Sequence, residues 1–205
     1  MRTPLTAIKT HLQVARITRG KEAEESLEYA EEAVARLQRT LTQLLTLSQV
    51  EGPFSWNDGS IAYADEVARL AIRDAAPDAH QRIVLNSDGN SAELALPQAL
   101  AVTALRNLLD NALRHSPAED SVRLELWSSK DAICFRVCDR GPGLSAEESA
   151  LATHRFWRRG PGRGSGLGLS LVAAITERFG GSLELTQRPG GGLEAKLTLP
   201  REAGG

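Results

Sequence analysis

Asn107 and Asn111 stand four residues apart in a stretch, 105–117, whose apolar members Leu105, Leu108, Leu109, Ala112 and Leu113 recur at helical spacing. The two carboxamides therefore stack on a second face of the same helix, with Arg114 and His115 one turn further along. Asn is a poor residue for a helix interior because its amide competes for backbone hydrogen bonds. Two in register suggest a task that outweighs propensity. A carboxamide oxygen is a hard neutral ligand suited to Mg²⁺, which takes few protein groups and completes its shell with phosphates and water. Arg114 would then meet a phosphate and His115 would stack on a flat ring. A solvated polar face ended by Ser116-Pro117 is the other reading of the stretch.

Two glycine clusters follow. In Asp139-Arg140-Gly141-Pro142-Gly143, a carboxylate closes a strand-like run and a glycine turn comes after it. An ionised carboxylate only accepts hydrogen bonds, which suits the exocyclic amino group of adenine. An Asp bonded to its own turn is the alternative. The second cluster, Gly160-Pro161-Gly162-Arg163-Gly164-Ser165-Gly166-Leu167-Gly168-Leu169, runs straight into a helical pattern. Free N–H groups at a helix start favour phosphate, and glycines let the backbone close on it. Neither a G-x-G-x-x-G frame nor a G-x-x-x-x-G-K-[ST] loop is present. Phosphate charge would have to be met by Mg²⁺, backbone N–H groups and arginines such as Arg114, Arg158, Arg159 or Arg163.

The elements that must hold these residues can be read from periodicity. Residues 1–51 read as two helices. Leu5, Ile8, Leu12 and Ala15 mark the first, Arg19-Gly20-Lys21 the break, and Leu27, Ala30, Val34, Leu37, Leu41, Leu44 and Ser48 a heptad rhythm in the second. Gly52-Pro53 stops it, and 53–60 is a linker with a short strand expected near Phe54-Trp56. One hairpin cannot bury such a seam alone. We expect a second copy to complete a four-helix bundle, with packing onto the rest of the same chain as the alternative. Helices are expected at 62–75, from Pro97 to about His115, and at 167–179. Strands are expected at 82–86, 93–96, 121–128, 132–139, 182–187 and 193–199, and 144–163 reads as long and irregular. In 132–139, Ile133, Phe135 and Val137 alternate with Cys134, Arg136 and Cys138. The pattern predicts an α+β chain, a helical hairpin followed by a mixed sheet with helices on one face.

The totals are those of an ordinary soluble globular chain: 205 residues, 41% hydrophobic, 24% charged, net charge -2. They give no push towards nucleic acid. No apolar run approaches a membrane span and no signal peptide opens the chain. Cys134 and Cys138 share a strand face ~13 Å apart, too far for a disulfide, and read as buried thiols of a reducing compartment.

These stretches resemble the N box and the two glycine boxes of sensor histidine kinases, and Thr153-His154-Arg155-Phe156-Trp157-Arg158-Arg159 resembles the phenylalanine box between the latter. The order and spacing agree across about 150 residues. The resemblance implies a Bergerat-type ATP-binding α/β sandwich, shared more distantly with gyrase, Hsp90 and MutL ATPases. It implies ATP and Mg²⁺, with Asn111 as metal ligand and Asn107 where those ATPases carry a catalytic glutamate. Arg114 and His115 fall at phosphate-contacting and adenine-stacking positions, Asp139 at the adenine-reading one, with Gly141 and Gly143 in its turn. Residues 144–165 match a mobile lid. Phe156, Gly164, Gly166, Leu167, Gly168 and Leu169 fall at nucleotide-binding positions, and Asn107, Arg114 and Arg158 at catalytic ones.

Arg2-Thr3-Pro4-Leu5 resembles the tail of the family's phosphoacceptor box, His-Glu-Leu-Arg-Thr-Pro-Leu. The acceptor would then fall just before residue 1, and the chain reads as a fragment unable to phosphorylate itself. Thr3 matches a position implied in dephosphorylating the response regulator. His11 lacks the acidic neighbour and the Thr-Pro context, and reads as a surface residue, as do His80 and His154. The implied organisation is a dimerisation hairpin, 1–52, and an ATP-binding catalytic domain, 53–205. The implied function is ATP-to-histidine phosphoryl transfer and onward transfer to a response-regulator receiver domain. The parent would be anchored upstream in the bacterial inner membrane, with this part facing the cytoplasm. The rivals are an ATP-binding dimerisation module without catalysis, a Bergerat ATPase, for which Asn107 is a poor base, and a serine kinase, which would not need the hairpin.

Overall fold

The computed structural model describes residues 4–53, 62–75, 80–89, 92–160 and 164–202. Thr3 and the strand expected near Phe54-Trp56 lie outside them. Helix α1 is Pro4–Ile17 and α2 is Lys21–Glu51. Gly20, at φ 64°, caps α2 and turns the chain back between them. The hairpin buries Ser26 and Ala30 but leaves Leu5, Leu12, Ile17, Leu27, Val34, Leu41, Leu44 and Leu45 exposed. Most of the heptad thus faces outward in the single chain. Only the end of α2 enters the main core, through Leu47 and Val50.

The rest is a two-layer sandwich. Strands β2 (Ile83–Ser87), β4 (Val122–Ser128), β5 (Ala132–Cys138), β6 (Ser182–Gln187) and β7 (Leu193–Pro200) form one sheet in the order β2-β4-β5-β7-β6. β2 runs parallel to β4 and every other pair is antiparallel, so the sheet is mixed as expected. Val122, Leu124 and Leu126 of β4, Ile133, Phe135 and Val137 of β5, and Ala195, Leu197 and Leu199 of β7 point to one face, as period-2 alternation requires. Helices α3 (Ala64–Asp74), α4 (Gln98–His115) and α6 (Gly168–Arg178) cover that face. The other face carries a row of cross-strand charges: Glu125 pairs with Arg136, whose guanidinium lies 5.0 Å from the Trp127 ring centroid, and Lys196 pairs with Glu184. Cys134 and Cys138 are free thiols, both buried on it.

Two local expectations need correction. Residues 62–63, read as the start of a helix, form β1 (Ala62–Tyr63), paired with β3 (Glu93–Leu94). The helix begins only after this pairing has claimed the backbone, and Ala64 N–H still donates to Ala92 O, 3.0 Å. The stretch 144–163, read as irregular, holds a short helix, α5 (Ala146–Leu151). Its start is a capping box: Ser145 Oγ accepts from Glu148 N–H and the Glu148 carboxylate accepts from Ser145 N–H. The Ser-x-x-Glu spacing was visible in the sequence and outweighs the polar composition.

Phe135 is wholly buried at the centre of the sheet. Phe135→Ala should cost ~3–5 kcal/mol in a urea unfolding experiment, because neighbouring strands cannot collapse into the void.

Candidate functional site

A cavity of about 1010 Å³ opens between α2, α4, the end of β5 and the start of α6. Its wall includes Asn107, Asn111, Arg114 and His115 from α4, Asp139 and Gly143 after β5, Arg158 after α5, and Gly164, Gly166, Gly168 and Leu169 leading into α6. Residues from three separate stretches therefore meet around one space. Gly141, Phe156 and Leu167 do not reach the wall. Gly141 packs against the His115 carbonyl, Leu167 is wholly buried, and the Phe156 side chain is exposed. Thr3 lies outside the described residues.

Asp139 is the most constrained of the set. It is 3% exposed, and its Oδ1 accepts from Gly141 N–H (2.8 Å) and Leu193 N–H (2.9 Å). Its Oδ2 has no protein partner among the described residues and the side chain borders the cavity. The approach is possible because residue 141 is glycine: a Cβ there would sit 2.6 Å from the carbonyl oxygen of His115 at the end of α4. One acceptor oxygen is spent on the fold and the other faces the cavity.

The α4 side of the cavity is cationic. Burial lowers the Arg114 pKa below its ordinary value, and the nearby cations Arg39 and Arg158 lower it further against the opposing pull of Asp110. Arginines that repel one another around a partly desolvated space suit a polyanion. Burial and the charge of Arg114 likewise lower the His115 imidazole below its ordinary value, which favours a neutral ring. Asn111 lines the cavity, and among the described residues its carboxamide has no hydrogen-bond partner. Among the described residues no cluster of His, Cys, Asp and Glu could hold a metal alone. A divalent cation here would need the carboxamide together with a ligand's own oxygens, which is the habit of Mg²⁺.

The segment between α5 and α6 is folded back by specific contacts. Arg159 donates to Gly143 O (3.0 Å) and pairs with Glu148 (3.0 Å). Phe156 holds φ 63°, a costly value for a residue with a side chain, while its N–H donates to Gly166 O, 2.9 Å. Gly166 sits at φ 73°, and a Cβ there would lie 2.7 Å from the Phe156 carbonyl carbon. The glycine is thus required for the turn that delivers the chain to α6.

Residues 97–203 match the family described as "Histidine kinase-, DNA gyrase B-, and HSP90-like ATPase". Residues 1–53 match the His Kinase A (phospho-acceptor) domain. The chain belongs to the sensor histidine kinases. Its sequence is 33% identical over 208 residues to the sensor protein QseC of Escherichia coli K12, covering 97% of this chain and 45% of that protein. It is 29% identical to the sensor protein kinase PmrB of Pseudomonas aeruginosa, covering 98% and 43%. The chain thus spans about half the length of the curated relatives it matches. Among solved structures, the Acinetobacter baumannii histidine kinase AdeS superposes with a TM-score of 0.75 at 21% identity, covering 98% of this chain and 97% of that one. The sandwich of this histidine kinase is accordingly an ATP-binding domain.

Several residues of the kinase cavity had no signal in the sequence. Gln43 and Arg39 come from α2, and Leu193 from the start of β7. Gln43 donates to Asn107 across 64 residues of chain, a contact that no local spacing announces. His11, read as a surface residue, is half-buried, with its ring centroid 5.3 Å from that of Tyr29.

The state of His115 has a measurable consequence. Its folded-state pKa lies below the unfolded value, so its contribution to stability is whole above ~6.5 and is lost as pH falls through the folded value. The urea midpoint should therefore drop more between pH 7.5 and pH 5.5 in the wild type than in His115→Gln.

Proposed function

We propose that this chain carries the ATP-binding portion of a histidine kinase that transfers the γ-phosphoryl group of ATP to a histidine and thence to an aspartate of a response-regulator receiver domain. One observation carries the reading. The free oxygen of a buried Asp139, the Asn111 carboxamide and the Arg39, Arg114 and Arg158 cations line the same cavity. That is an acceptor for a base, an oxygen for a divalent cation and charge for phosphates, in one space. AMPPNP, an ATP analogue, is present in the structure of full-length ShkA, which superposes with a TM-score of 0.71 at 20% identity over 98% of this chain and 43% of that one.

In this reading Asp139 Oδ2 accepts from the adenine amino group and neutral His115 lies against the ring. Asn111 would supply the carboxamide oxygen that holds Mg²⁺, with Asn107 one turn before it on the same wall. That ion, when bound, would draw phosphate charge and leave the terminal phosphorus open to attack. Arg114 and Arg158 meet the developing charge, and Gly164, Gly166, Leu167, Gly168 and Leu169 offer backbone N–H groups at the start of α6. Gly141 and Gly143 shape the Asp139 turn, and Phe156 holds the lid turn. Asn107 cannot take a proton at neutral pH, so the acceptor imidazole must be its own nucleophile. This disfavours an ATPase that activates water.

We divide the chain into a dimerisation hairpin, 1–52, and a catalytic domain, 53–205, and pair the hairpin with a second copy through its exposed leucines. Thr3 is assigned to a response-regulator phosphatase activity. The parent is placed at the bacterial inner membrane with this part in the cytoplasm. Among the described residues no helix is long and apolar enough to cross a membrane, so the anchor is assigned to other parts of the parent. None of the four histidines, His11, His80, His115 and His154, sits in the His-Glu-Leu-Arg-Thr-Pro-Leu setting. These residues alone should therefore not label themselves.

γ-Labelled ATP tests the chemistry. With His-Glu-Leu joined ahead of Arg2, the label should be acid-labile and base-stable, as a phosphoramidate is, and Asn111→Ala should remove it. An acid-stable label would reject histidine chemistry, and labelling of the unaltered chain that His11→Ala removes would relocate the acceptor. Light scattering tests the pairing. The chain should have close to twice its 22.1 kDa mass, and Leu41→Glu, which charges the exposed seam, should halve it.

A further inference from the structure

The carboxamide of Gln43, on α2 of the hairpin, is bonded at both ends to the nucleotide cavity. Leu167 N–H donates to Ser165 Oγ (3.2 Å), and Ser165 Oγ donates to Gln43 Oε1 (2.8 Å). Gln43 Nε2 donates to Asn107 Oδ1 (2.7 Å), and Asn107 Nδ2 donates to Thr103 O (2.8 Å). The direction of this chain is fixed by its end. A backbone carbonyl only accepts, so Asn107 must turn its NH₂ to Thr103 and its oxygen to Gln43. Gln43 must then offer its NH₂ to Asn107, which leaves its oxygen for the Ser165 hydroxyl. All the donors run the same way, an arrangement in which successive bonds polarise one another.

Two of the groups held by this chain are ones a nucleotide would use. Leu167 N–H lies at the opening of α6, where free amides favour phosphate, and the Asn107 oxygen faces the cavity beside Gly168. A second tie reinforces the first: Glu51 at the end of α2 pairs with Arg155 beside Phe156. The hairpin is therefore fastened to the nucleotide side of the sandwich by its amide and by an ion pair, and not only by apolar packing.

We infer that Gln43 is a positioning residue that fastens the phosphoacceptor hairpin to the nucleotide site through Asn107 and competes with nucleotide phosphates for the Ser165 hydroxyl and, through it, the Leu167 N–H. The inference rests on the ATP reading given above. Binding of nucleotide and release of the Gln43 amide are then one event, and each must oppose the other by the same factor. When a site is open for only a fraction of the time, its apparent affinity falls by that fraction.

Calorimetry on the full chain with Mg²⁺ and a non-hydrolysable ATP analogue tests this. Gln43→Met, which keeps length but not the amide, and Gln43→Ala should each bind the analogue roughly fivefold or more tightly than wild type. Ser165→Ala should also tighten binding, and the Gln43→Met/Ser165→Ala double variant should gain no more than the larger single gain, because both break one chain. Gln49→Ala, an exposed amide on the same helix away from the cavity, should bind as wild type does. Unchanged or weaker binding by both Gln43 variants would overturn the proposal while leaving the ATP reading intact, and so would additive gains in the double variant. No binding by the wild type and every variant would overturn the ATP reading and this inference with it.

Discussion

A carboxyl group buried to 3% exposure needs hydrogen-bond partners, and the way Asp139 finds them shapes the site. Its Oδ1 takes N–H groups from two different segments, the turn at Gly141 and the first residue of β7 at Leu193. The same residue's N–H donates to Leu193 O, 2.9 Å, so the end of β5 is stitched to β7 by backbone and side chain together. The turn then presses against the end of α4, close enough that only glycine fits at 141. Asp139, His115 and the helix bearing both asparagines thus hold fixed positions because one buried carboxyl group must find its hydrogen bonds.

The opposite wall is held in a different way. Of the described residues before α6, Leu167 is anchored in the core, and the rest are held by Arg159, by the strained Phe156 turn and by contacts to α2. Contacts of this kind are few and solvent-accessible, and such segments open at lower cost than core strands. The hairpin touches the cavity on this wall through Gln43 and Arg39. One long helix thus carries apolar residues outward along one side and polar residues into the cavity on the other, and the function proposed above assigns association to the first side and the nucleotide to the second.

The sandwich was largely legible because its elements obey simple periods. β4, β5, β6, β7 and α4 fall within a residue or two of where alternation and helical spacing placed them. β1 was missed because two residues carry no period, and their state is decided by a partner thirty positions away. α5 was missed by weighing composition over its capping box. In the site, glycines, asparagines and Asp139 announced themselves by type and order. Arg39 and Gln43 did not, because a polar residue on a heptad helix has the same local signature whether it faces water or a cavity. Leu167 shows the converse: it belongs to the glycine box, yet its side chain is core, and its backbone N–H is linked to the wall only through Ser165 Oγ.

The most direct test of the account is a competition between ATP and inosine triphosphate, which replaces the exocyclic amino group by a carbonyl. A site whose buried acceptor is built for an amino group should reject the inosine nucleotide by well over ~10-fold, since the carbonyl leaves Asp139 Oδ2 facing another acceptor. Asp139→Asn, which can donate to that carbonyl, should close the gap. Equal affinity of the wild type for both nucleotides would place the base elsewhere and contradict the account.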